Sequence, residues 1–247
     1  MEKLITFDNL RQFCYCNDRL CKRPIRGLVL FFPGMNTAKM YDEDNENGER
    51  FAQQGILYVI PYQNPWAWQT EQNMAFAEEI LDVLFRAYDL PDNLPIVSTG
   101  QSMGGLGALA YMVYAKRTPV ACAAFCPVCD LPYHYTERPD LPRTLYSAFY
   151  HYDGSLEEAL RSVSPCHLVE QMPVEADYYV FHGERDVTVS RTRHSERFVE
   201  AMREKHRLTY HIVPGMGHTD WTDEMFERYN AYIVESIEKS YAKRFAE

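Results

Sequence analysis

Short apolar runs recur along this chain, and between them apolar residues repeat at helical spacing. Residues 27–32 read Gly-Leu-Val-Leu-Phe-Phe and stop at Pro33-Gly34. Residues 56–60 read Ile-Leu-Tyr-Val-Ile and stop at Pro61. Further runs lie at 94–99, 122–125, 178–181 and 209–213. Runs that are apolar throughout, not alternating, predict strands covered on both faces, as in parallel sheets. Ala77, Ile80, Leu81, Leu84 and Tyr88 recur at helical spacing, with Glu78, Glu79 and Asp82 between them. Residues 197–205 and 223–241 carry the same period. Strands alternating with helices predict the α/β class, a mostly parallel sheet with helices on both faces.

Two stretches depart from this rhythm. Residues 5–7 and 12–16 predict an antiparallel hairpin at the sheet edge. Residues 127–165, rich in Pro, Tyr and His, intervene between two strands. A connection of that length predicts a cap or lid. No repeat or composition shift marks a boundary, so 1–247 reads as one α/β domain carrying this insertion.

With 46% hydrophobic residues among 247, the chain can bury a large core. Its formal charge of -10, from 25 basic and 35 acidic residues, argues against a nucleic-acid partner. The longest apolar run, near 105–115, is too short and too rich in Gly and Ala to span a bilayer. The first residues, Met1-Glu2-Lys3-Leu4-Ile5, have no secretory pattern, and seven scattered cysteines read as reduced thiols, so a cytoplasmic location is expected. Cys126-Pro127-Val128-Cys129 and Cys14-Tyr15-Cys16 lack a second ligand pair. Neither a metal nor a cofactor is expected.

The chemistry concentrates at Gly100-Gln101-Ser102-Met103-Gly104, a G-x-S-x-G pattern. An apolar strand runs into it, and a helix rich in Gly and Ala leaves it. A sharp strand-to-helix turn exposes the serine hydroxyl, and the flanking glycines remove Cβ atoms that would clash. A Rossmann-type Gly-rich turn fits poorly, because Lys116 and Arg117 stand where an acidic residue belongs.

The chain resembles the α/β-hydrolase family from about residue 27 onward. In that family the order is Ser, acid, His. His182-Gly183-Glu184-Arg185-Asp186 resembles its H-G-x-x-D segment, which implies Asp186 as the acid, ahead of Glu184, and a structural His182. Gly215-Met216-Gly217-His218 implies His218 as the base. His211 lies within a strand, His134, His151 and His167 in or beside the insertion, and His194 and His206 beside a helix expected on the outside. Phe32-Pro33-Gly34-Met35-Asn36 resembles the family's H-G-x segment, with Pro33 in place of the commoner histidine. The resemblance implies the Met35 and Met103 N–H groups as oxyanion donors.

Aromatic residues crowd two regions expected near the nucleophile. Trp66, Trp68, Tyr133 and Trp221 are the candidate substrate contacts, suited to acyl chains, aromatic acyl groups or sugar faces. The alternative is that they pack a small cap onto the domain. The expected activity is hydrolysis of small or carbohydrate-linked carboxylic esters through an acyl-enzyme, with a small-molecule ester as partner. Prolyl-oligopeptidase-type peptidase and thioesterase activities are the rivals, and a non-catalytic ligand-binding protein is the reading from another class.

Overall fold

The computed structural model describes residues 4–37 and 39–245. In chain order the elements are β1 (Cys14–Cys16), β2 (Gly27–Phe32), α1 (Glu46–Gln53), β3 (Ile56–Pro61), α2 (Glu71–Ala87), β4 (Ile96–Gln101), α3 (Met103–Tyr114) and β5 (Ala121–Phe125). There follow α4 (Leu131–Glu137), α5 (Leu141–Phe149), α6 (Leu156–Val163), α7 (Pro165–Leu168), β6 (Asp177–Gly183), α8 (Ser195–Met202), β7 (Arg207–Val213) and α9 (Asp223–Phe245). The strands form one sheet in the order β1-β3-β2-β4-β5-β6-β7. Among the described residues only the β1–β3 pairing is antiparallel. This is the α/β-hydrolase architecture.

The central strands are buried on both faces, as their unbroken apolar runs require. On one face Leu28, Leu30, Phe32, Val59 and Ile96 pack with α2 and α3. On the other, Val29, Tyr58, Val97 and Phe125 pack with Tyr229, Ile233 and Ile237 of α9. No described helix is long and apolar enough to cross a membrane.

Two expectations need correction. The edge hairpin does not form: Asn9 Oδ1 accepts the Thr6 N–H and its amide donates to Leu4 O, so the chain turns there. Such local side-chain bonds compete with strand pairing. Only residues 14–16 join the sheet, through β3. The run at 94–99 becomes a strand only from Ile96, after Pro95, and extends to Gln101. Glu78, one of the charged residues between the apolar positions of α2, is 4% exposed. Its Oε1 accepts bonds from the Tyr111 hydroxyl and the Lys116 N–H.

The 127–165 insertion folds into short helices. Asp130 caps α4 through the Tyr133 N–H, and Ser155 caps α6 in a reciprocal box with Glu158. Leu131, Leu141, Leu145, Phe149 and Leu160 from these helices pack on Trp68, Met103 and Leu106. The insertion therefore sits against the start of α3, beside Ser102.

Candidate active site

Ser102 stands between β4 and α3 with φ 58° and ψ −119°. Its left-handed φ is sterically costly for a residue with a Cβ and persists only when its surroundings fix it. They do: the Ser102 N–H donates to Phe125 O at 2.9 Å, and its carbonyl accepts from Leu106 and Val128 N–H groups at 3.1 and 3.3 Å. The glycines are steric necessities. A Cβ on Gly104 would lie 1.9 Å from Phe32 O, and one on Gly100 would lie 2.1 Å from Gly104 O.

The folded chain brings Ser102, His218 and Asp186 together. His218 Nε2 is 2.9 Å from Ser102 Oγ, and His218 Nδ1 is 2.6 Å from Asp186 Oδ2. An ionised carboxylate only accepts, so the proton sits on Nδ1, and the Nε2 lone pair faces the serine hydroxyl. The Asp186 side chain is wholly buried. Its Oδ1 accepts the Thr188 and Val189 N–H groups at 2.8 and 3.0 Å. Burial alone would raise the Asp186 carboxyl, but hydrogen bonds from His182, His218 and the Val189 N–H outweigh it and hold the group far below the usual range. Asp186 is thereby held ionised. Glu184 is spent elsewhere, accepting the Gly215 N–H.

His182 has more than the turn-supporting role inferred from sequence. Its Nε2 lies 3.1 Å from both Asp186 Oδ2 and Val189 O, so Nε2 carries the proton. Its Nδ1 then accepts the Ser195 hydroxyl, at the start of α8. The four-residue spacing of His182 and Asp186 across a strand end was the available signal for this contact. Nothing in the sequence marks Ser195.

The loop after β2 lies against the elbow. A Cβ built on Gly34 would be 3.8 Å from Ser102 Cβ. The Met35 and Met103 N–H groups have no acceptor among the described residues. Asn36 occupies a turn at φ 64°, and its Oδ1 accepts the Trp66 indole N–H at 2.9 Å.

The four aromatic candidates are placed differently. Trp66 is 36% exposed and joined to the Met35 loop through Asn36, with the Arg143 guanidinium 5.7 Å from its ring centroid. Trp221 is half-buried and stacks on Phe125. Tyr133 is half-buried beneath Arg193, 4.3 Å from its ring. Trp68 is not available as a contact. It is 1% exposed, and its indole N–H donates to Thr144 Oγ1 of α5 at 3.1 Å. It anchors the insertion to the body, because a large apolar ring in that seam excludes water from both sides.

His134 and His194 have partners of their own. His194, beside a helix expected on the outside, is itself fully buried; its Nδ1 accepts the Cys129 and Asp130 N–H groups, so Nε2–H donates to Glu137 at 2.9 Å. His134 Nδ1 meets the same Glu137 oxygen at 2.7 Å. The His134-Glu137-His194 group has the residue types of a metal site, but the His194 tautomer turns a proton toward Glu137 in place of a lone pair. The Cys126-His182-Asp186 group is alike: His182 Nε2 carries a proton, and Cys126 Sγ accepts the Gly183 N–H. Cys129 points elsewhere, toward Pro127 O, so the C-x-x-C pair divides. All seven thiols are free, and burial pushes those of Cys14, Cys126 and Cys129 well up.

Residues 72–242 match the prolyl oligopeptidase family, more than half of the chain. No protein of curated description matches the sequence significantly. Among solved structures, a Pyrococcus horikoshii acylaminoacyl peptidase is similar at 12% identity and TM-score 0.69, with 89% of this chain and 40% of that chain covered. An Agrobacterium tumefaciens S-formylglutathione hydrolase is 18% identical with TM-score 0.63, covering 87% of this chain and 83% of that one. A Saccharomyces cerevisiae monoglyceride lipase is 16% identical with TM-score 0.59, covering 89% and 88%. The chain spans well under half the length of the peptidases it matches. These likenesses establish the common α/β-hydrolase fold, and the family match goes further: the chain belongs to the prolyl oligopeptidase family.

Proposed function

We propose that this protein hydrolyses small carboxylic esters through an acyl-enzyme, with Ser102 as nucleophile, His218 as general base and Asp186 as the residue orienting His218. One observation carries the reading: the unbroken run of hydrogen bonds from Ser102 Oγ through His218 to Asp186 Oδ2. His218 Nε2 takes the serine proton as Oγ attacks the acyl carbon, and the buried Asp186 charge stabilises the imidazolium. The Met35 and Met103 N–H groups, which have no acceptor among the described residues, stabilise the tetrahedral oxygen in this reading; losing one such donor typically costs ~3 kcal/mol. His218 then gives its proton to the leaving alcohol. Water repeats the sequence in reverse to free the acid. Trp66, Tyr133 and Trp221 are the substrate contacts in this reading, and 127–165 forms the cap over the site.

Two structural relatives support esters: the S-formylglutathione hydrolase and the monoglyceride lipase share the fold, and neither is named as a peptidase. Family membership supports the second reading, cleavage of peptide bonds. A panel of short acyl esters, acetylated sugars, acyl thioesters and proline peptides, run on wild type and Ser102→Ala, separates them. Ester turnover that vanishes in the variant supports the proposal. Turnover of peptides alone would replace it with the peptidase reading, and labelling by a fluorophosphonate without any turnover would favour a ligand-binding role.

A further inference from the structure

A cavity of about 830 Å³ lies between α2, the end of α3 and the helices α5 and α6. Neither Ser102, His218 nor Asp186 lines it. Tyr114, at the far end of α3 from Ser102, does; twelve residues of helix at ~1.5 Å each separate the two regions by roughly 18 Å. Its volume is within the usual range for small-molecule sites. Met74, Phe149 and Val163 give it apolar walls, and Tyr114 and Tyr152 add aromatic ones.

The same cavity is acidic. Glu71, Glu78, Glu79 and Asp82 line it, against Lys116 and His151. Asp82 is already neutralised, paired with Lys116 at 3.0 Å and Arg117 at 2.9 Å. Glu79 accepts the Ile5 N–H. Glu78 is different. It is 4% exposed, its Oε1 is taken by Tyr111 and Lys116, and its Oε2 has no hydrogen-bond partner among the described residues. A buried carboxylate oxygen without a donor is costly, and a cation brought to it removes that cost.

We propose that this cavity binds an amphiphilic organic cation, its ammonium group donating to Glu78 Oε2 and its apolar part lying on Met74, Phe149 and Val163. Each rival ligand class fails on a particular feature. A carboxylate would meet the field of Glu71, Glu78 and Glu79, while Lys116 is committed to Asp82. A neutral apolar molecule would leave Glu78 Oε2 unpaired. A bare divalent ion demands six or more oxygens and gains nothing from the apolar walls. An alkylammonium uses both, and aromatic faces favour it further.

The site is separate from the elbow, so the proposal stands or falls independently of ester hydrolysis. The test is calorimetric titration of the full chain with n-octylammonium, n-octanol and octanoate at fixed ionic strength. Octylammonium is expected to bind at least tenfold more tightly than either of the others. Glu78→Gln keeps the Oε1 acceptor for Tyr111 and Lys116 and removes the charge; it should weaken octylammonium at least tenfold and leave octanol unchanged. Ala75→Trp, at the exposed edge of the cavity, should block octylammonium while leaving the unfolding temperature near wild type. Equal binding of octanol and octylammonium would overturn the proposal, as would octylammonium affinity within twofold of wild type in Ala75→Trp. Should Glu78→Gln fail to fold, the ligand comparison and Ala75→Trp decide the matter alone.

Discussion

His182 Nε2 lies 3.1 Å from Asp186 Oδ2, the same oxygen that His218 Nδ1 approaches at 2.6 Å. That oxygen thus accepts the His218 N–H and lies beside the His182 N–H, which also reaches Val189 O, and the His182 tautomer is fixed by Ser195. A donor on Asp186 lowers its basicity, and a less basic Asp186 attracts the His218 imidazolium less. Replacing His182 by Gln should therefore move the acidic limb of kcat/KM to higher pH, by roughly half a pH unit, while kcat falls about tenfold as Asp186 loses an anchor. Ser195→Ala should act in the same direction and more weakly. A pH profile unmoved in both variants would reduce His182 to a packing residue.

Ser102→Ala and His218→Ala should each abolish ester turnover by about 10³- to 10⁶-fold and prevent covalent labelling by a fluorophosphonate. Asp186→Asn should fold, because the Thr188 and Val189 N–H donors can still be accepted. It should lose about 10⁴ in kcat, since its amide would favour the wrong His218 tautomer. Full labelling of Ser102→Ala would place the nucleophile elsewhere.

Much of this site was legible because the elbow is a local pattern: strand, glycine, serine, glycine and helix follow one another directly in sequence. Asp186 and His218 were legible through their order after Ser102 and their place at strand ends. Other features depend on single side chains meeting across the fold. Asn9 turns the chain and prevents the edge hairpin. Glu78 has the charge of a surface residue and lies inward because Tyr111 and Lys116 receive it. Trp68 looked like a cleft residue because tryptophan suits both clefts and seams, and only packing against Thr144 and Leu145 tells them apart.

Gly104→Ala tests the steric origin of the elbow. The added methyl would fall 1.9 Å from Phe32 O, a main-chain atom that β2 holds in the sheet. The turn must open, moving Ser102 away from His218. Loss of turnover with an unfolding temperature lowered by several degrees is expected; wild-type kinetics would show that the backbone has slack there.

Trp68→Ala separates a seam residue from a substrate contact. Removing a ring that is 1% exposed should cost about 3–5 kcal/mol. Denaturant unfolding reads that loss directly. KM for short esters should stay within twofold in the protein that remains folded. A large KM change with little loss of stability would return Trp68 to the binding site.

Acid sensitivity should trace to Glu137. Burial alone would raise its carboxyl, but hydrogen bonds from His134 and His194 and the Ser190 N–H hold it far below its ordinary 4.5. The unfolded chain therefore takes up this proton first as pH falls, so the stability Glu137 contributes is complete above 4.5 and drains away below it. Burial, opposed by Glu137, also holds His134 below 6.5, which makes folding lose free energy as pH falls through that value. Asp186, depressed in the same way as Glu137, adds to the loss at low pH. Stability should thus decline below about pH 6.5 and decline more steeply below 4.5. Glu137→Gln should be less stable at pH 7, because the charge-assisted bonds to both histidines weaken, and should show a shallower slope in the lower window. Unfolding free energies measured by denaturant at intervals from pH 3 to pH 8 give both slopes. Parallel curves for variant and wild type below 4.5 would assign the acid sensitivity to other carboxylates.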